Sequence, residues 1–69
     1  MPRKQLISDS ESFELGEKIR AWRFEKGLTQ LTVAKLLDVD VSSVNAWEKG
    51  RRLIPASRIN RIRNLVYRS

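Results

Sequence analysis

Residues 41 to 52 read VSSVNAWEKGRR. Hydroxyls and a carboxamide come first, set among small apolar side chains, and Lys49, Arg51 and Arg52 follow at once. A hydroxyl can donate or accept and a carboxamide does both, whereas ammonium and guanidinium groups only donate, best of all to phosphates and carboxylates. Such a set recognises; it does not cleave or transfer. The 69-residue chain has no histidine and no cysteine. That excludes a Cys–His nucleophile pair, a disulfide and the usual zinc sites. There is no glycine-rich phosphate loop, and the acids are scattered along the first two-thirds of the chain. These residues call for no enzyme and no cofactor.

Charge narrows the class of partner. Residues 1–48 carry seven bases and eight acids, net −1, whereas residues 49–69 carry seven bases and no acid, net +7. A polyanion is the natural complement, nucleic acid before an anionic membrane surface. By charge alone, these two and a merely solvated basic tail stand nearly even. No apolar run approaches the roughly 20 residues of a membrane span, and the N-terminal MPRKQLISDSESF lacks the apolar centre of a secretion signal.

The elements that must position these groups are helices. The length suits one small domain. Residues 1–12 are polar and aperiodic and read as a flexible arm, with residues 13–69 as the domain. A first helix over about Phe13–Lys26 buries Leu15, Ile19 and Trp22 at i, i+4, i+7, with Ser10 or Ser12 as its cap and Gly27 as its stop. Thr29 caps a second helix, Gln30 to Leu37, which packs through Val33, Ala34 and Leu37. Asp38 sits where a tight break wants a positive φ, which glycine adopts most easily and aspartate tolerates.

Residues 39–44 carry β-branched valines and serines, a strand-like composition. An isolated strand there would leave its backbone groups unpaired. As a third helix, from Val41 to about Lys49, the segment gains Asp40 as a cap, Val44 and Trp47 as a buried face, and Gly50 as a stop. A last helix over about Ser57–Tyr67 buries Ile59, Ile62 and Leu65 or Val66. The expected fold is all-α, a small bundle of four short helices with a fifth left open. The second and third helices, joined by about three residues, form a helix-turn-helix.

LTQLTVAKLLDVDVSSVNAWEKGRRLIP resembles the core of the Cro/C1-type (Xre-family) helix-turn-helix DNA-binding domains of phage repressors and bacterial regulators. The matching positions are Leu28, Thr29, Gln30, Val33-Ala34, the turn position Asp38, and Trp47-Glu48-Lys49-Gly50. GEKIRAWRFEKG at 16–27 is similar to the family's first helix. The resemblance covers roughly residues 13–55, departs from the family at Asp38, where a glycine is usual, and implies a lambda-repressor-like fold.

It further implies a sequence-specific, double-stranded-DNA-binding transcriptional regulator, repressor-like, in the cytoplasm of a bacterial or phage-infected cell, associated with the nucleoid. The third helix would lie in the major groove. Val41, Ser42, Asn45 and Ala46 would read bases: Asn45 bidentate to adenine, Ser42 by its hydroxyl, Val41 and Ala46 on a thymine methyl. Gln30, Ser43, Lys49, Arg51, Arg52 and Arg58 would contact phosphates, Gln30 at the positive end of the second helix. Arg61 would extend this patch, and Arg63 and Arg68 would add only long-range field. Arg23 and Glu48 would form a structural ion pair between the first and third helices. A homodimer or a protein partner stays open. The alternative function is a protein-interaction module, such as a DNA-binding antitoxin, with Phe24, Leu53, Ile54 and Tyr67 as contacts. No membrane role is expected, because the last helix needs its apolar face for the core.

Overall fold

A computed structural model describes residues 9–68. Among these residues four helices run in order: α1 (Asp9–Lys26), α2 (Gln30–Leu37), α3 (Val41–Lys49) and α4 (Ala56–Arg68). No strand occurs among the described residues. α3 packs on both α1 and α2, and α4 closes over α1. Among the described residues ten apolar side chains form one core: Leu15, Ile19 and Trp22 from α1, Val33, Ala34 and Leu37 from α2, Val44 and Trp47 from α3, Ile54 from the loop and Ile62 from α4. Leu28, Val39, Ile59, Leu65 and Val66 pack around it. A domain this small buries only about 60% of its unfolded surface, so each of these contacts matters.

Three helices end in the same local device. Gly27, Asp38 and Gly50 each take a positive φ, of 71°, 59° and 72°. In each case the residue's N–H and the next one reach back to the last turn: Gly27 to Phe24 and Leu28 to Arg23, Asp38 to Lys35 and Val39 to Ala34, Gly50 to Trp47 and Arg51 to Ala46. This Schellman arrangement satisfies carbonyls that a helix end leaves free. Asp38 is the one non-glycine in the left-handed region among the described residues. A Cβ there costs about 1–2 kcal/mol, less for aspartate than for most residues. Asp38→Gly is therefore expected to raise stability by about 1 kcal/mol, read as a thermal midpoint higher by about 4–8 °C. An unchanged or lower midpoint would show that the Asp38 side chain compensates for its backbone.

The helix starts are less uniform. Thr29 accepts the Thr32 N–H at 3.1 Å and caps α2. Asp40 has the extended backbone of a cap, but its side chain makes no capping bond. Of the arm assigned to residues 1–12, residues 1–8 lie outside the described residues. Residues 9–12 are helical and form the first turn of α1, four residues ahead of the expected start at Phe13. Ser12 is thus no cap. It lies inside the helix, 2% exposed, and its Oγ accepts the Ile54 N–H at 3.0 Å. The reason is topological: the loop before α4 must cross α1, and its buried N–H needs an acceptor there. Ile54, expected as an exposed contact, is accordingly part of the core. Ser12→Ala leaves that N–H unpaired and is expected to destabilise by about 1–3 kcal/mol. A chemical-denaturation midpoint equal to the parent's would show that water or another group serves Ile54.

Candidate nucleic-acid interface

α3 is amphipathic in a way that leaves one long side free. Val44 and Trp47 turn inward, and Val41, Ser42 and Lys49 are exposed. Asn45 and Ala46 lie half-buried between them. Position by position, helical geometry puts Val41, Ser42, Asn45, Ala46 and Lys49 on the side opposite the core. The outward side chains are short except for the lysine at the C-terminal end, so little stands between the helix backbone and whatever approaches it. The left-handed turn at Asp38 sets the angle at which α3 leaves α2.

Cations surround this face. Arg51 and Arg52 follow it and are exposed. Arg52 Nη1 donates to Ser43 Oγ at 3.5 Å, a long bond that brings both beside the start of α3. Arg58, half-buried, lines a hollow with Ser43, Asp40 and Pro55. Arg61 and Arg63 are exposed on α4. The Arg68 side chain lies outside the described set. On the other flank, a second hollow is lined by Arg20, Lys49, Arg51, Phe24 and Gln30. Sequence reading missed Arg20, because the first 48 residues are net neutral to acidic and their cations look ordinary. The i, i+4 spacing of Arg20 and Phe24 was the available signal: the guanidinium lies 5.2 Å from the ring centroid. Arg23 stacks on the same ring at 4.7 Å. Phe24 is thus an exposed platform that orients two arginines.

Behind the face lies a polar chain. Arg23 meets Glu48 in a two-pronged pair, Nε to Oε2 at 2.8 Å and Nη2 to Oε1 at 2.9 Å. Its remaining prong, Nη1, donates to the Leu28 carbonyl at 3.2 Å. The side chains are 12% and 3% exposed. The hydrogen bonds that Arg23 donates to Glu48 raise its pKa above the ordinary value, and burial offsets part of the rise. Gln30 continues the chain. Its Nε2 donates to Glu48 Oε1 at 3.1 Å and to Asn45 Oδ1 at 3.2 Å. The sequence expectation gives Gln30 a phosphate at the start of α2. In the free protein both its side-chain amide hydrogens are engaged with α3, because the carboxylate of Glu48 lies within reach and competes with solvent.

A family model described as helix-turn-helix matches residues 19–65. Neither the curated proteins nor the solved structures gave a match to the chain.

Proposed function

The chain belongs to the Cro/C1-type helix-turn-helix family, a DNA-binding family typical of transcription regulators, and from that membership we propose a repressor-like regulator that binds chosen double-stranded sites through α3. The observation that carries this reading is the free face of α3, with small neutral side chains along it and cations on either flank. Val41, Ser42, Asn45 and Ala46 read base edges in the major groove. Ser43, Lys49, Arg51, Arg52 and Arg58 grip phosphates, joined by Arg20, and this grip gives affinity without sequence choice. Among the described residues no helix is long and apolar enough to cross a membrane.

One copy makes few phosphate contacts, and non-specific binding is then weak, about 10⁻⁴–10⁻⁶ M at physiological salt. Two copies on half-sites about one helical turn apart would strengthen it. Regulation would follow from occupancy, by blocking or recruiting polymerase.

The test is titration with genomic fragments at several salt concentrations. A preferred fragment and a steep salt dependence are expected. Arg51→Ala should weaken all sequences alike and reduce the salt slope by about one, whereas Asn45→Ala should relax preference at one position. Equal binding to every fragment would remove the sequence-specific part of the reading. Tight binding to a protein with no salt-sensitive DNA binding would replace it by the protein-interaction alternative, for which exposed Phe24, Leu53 and Tyr67 are the available contacts.

A further inference from the structure

We infer that Gln30 is a positioning residue for base reading: it fixes which end of the Asn45 carboxamide faces the DNA, and so makes Asn45 present its donor to an acceptor on the base. The inference rests on the DNA-reading role of α3 proposed above.

The polar chain runs from the core outward. Arg23 holds both oxygens of Glu48. A carboxylate only accepts, so whichever end of Gln30 faces it must be the NH2 end. Chemistry therefore decides an amide orientation that geometry alone leaves ambiguous. The Nε2 of Gln30 lies 3.1 Å from Glu48 Oε1 and 3.2 Å from Asn45 Oδ1. It has two hydrogens, one for each partner. The atom of Asn45 that meets the second hydrogen must accept, so it is the carbonyl oxygen. Asn45 Nδ2 is then the end left over, directed away from Gln30. Reversing Asn45 would set an N–H against an N–H, and reversing Gln30 would set a carbonyl against a carboxylate. Each step closes the alternative of the next, from an ion pair 3% exposed on the glutamate side to a side chain on the reading face.

This changes the chemistry expected of Asn45. A free carboxamide can turn over and serve any base. A held one leads with its donor. Guanine offers N7 and O6 to such a donor, adenine offers N7 and thymine O4, but cytosine offers only the N4 amino group, another donor. The position controlled by Asn45 should therefore exclude cytosine. The second lone pair of Oδ1 remains usable, so adenine is allowed but not required.

Two measurements test this. In the free protein, hydrogen exchange of side-chain amides is followed by NMR. The Gln30 Nε2 hydrogens should exchange slowly and the Asn45 Nδ2 hydrogens fast; a protected Asn45 pair, or a Gln30 pair as fast as Asn45, overturns the inference. Sites are also selected from random double-stranded DNA by the parent, Asn45→Ala and Gln30→Ala. At the position where Asn45→Ala erases preference, the parent should disfavour cytosine by about tenfold. Gln30→Ala should lose that discrimination at this position alone, an effect that a merely structural role would not confine there. Enrichment of cytosine by the parent, or full discrimination kept by Gln30→Ala, overturns this inference and leaves the DNA-reading role intact. Enrichment of no sequence by the parent overturns both. If Gln30→Ala fails to fold, amide exchange in the parent decides the matter.

Discussion

Gly16→Ala is expected to destabilise the protein by about 3 kcal/mol or more, against the usual sign for a glycine in a helix. In an exposed helix interior the change would stabilise by roughly 1 kcal/mol, because alanine loses less backbone freedom on folding. Gly16 lies inside α1 and is buried. A Cβ built there lands on the carbonyl oxygen of Trp47, with the Trp47 carbonyl carbon at 3.0 Å and Glu48 Cα at 3.7 Å. These atoms are backbone of α3 and cannot rotate away. Overpacking ordinarily costs about 1–3 kcal/mol, and an obstacle of this kind puts the cost at or above the upper end. A domain of this size holds only about 3–10 kcal/mol in total. The thermal midpoint followed by circular dichroism should fall by about 12 °C or more. A raised midpoint would mean that α1 and α3 do not approach this closely. Gly27 is the contrast: nothing lies within 4 Å of its missing Cβ, and only its left-handed backbone resists substitution. Gly16 meets α3 beside Trp47 and Glu48, and so sets how far α3 stands from the core.

What the sequence disclosed divides by range. The ends of the first three helices were legible because each is set within a few residues, by Gly27, Asp38 and Gly50 and the backbone bonds they allow. The core faces were legible because periodicity is local too. Asp38 shows how far this extends: an aspartate at a turn normally given to glycine announces a left-handed residue, and φ is 59° there. The misses are tertiary. Ser12 and Ile54 are 42 positions apart, and nothing near Ser12 says that a loop will cross it. Gly16 reads as a weak point in a helix until α3 is laid against it. On the outward face of α3, residue types and spacing picked out the small neutral side chains. They did not show that Gln30 reaches across to Asn45 and Glu48, because an amide at a helix start looks the same whether it faces solvent or a neighbouring helix. Asp40 errs the other way: its type and place suggest a cap bond, yet the backbone turns correctly without one.

Glu48→Gln is expected to be the second severe substitution, destabilising by about 3–5 kcal/mol, the range for removing one partner of a buried pair. Glu48 accepts from two nitrogens of Arg23 and one of Gln30. A carboxamide of the same shape has one acceptor and one donor. Whichever way it turns, one hydrogen-bearing nitrogen meets another, and Arg23 keeps its charge with nothing to balance it. That charge does not leave readily. The folded-state pKa of Arg23 is raised above its ordinary value, chiefly by its hydrogen bond to Glu48. A base shifted upward contributes its stability below the unfolded pKa and loses it only as pH passes the folded one. In the parent the Arg23 contribution is therefore constant through neutral and moderately alkaline pH. Denaturation midpoints for Glu48→Gln and Arg23→Met should both be low, while Arg23→Met combined with Glu48→Leu should be more stable than either alone. The combination removes the stranded charge and leaves only neutral groups short of a partner, the Gln30 amide and the Leu28 carbonyl. Additive losses in the combined protein would show that Arg23 and Glu48 act separately. A Glu48→Gln midpoint equal to the parent's, with unchanged cooperativity, would show that the pair does not tie α1 to α3 at all.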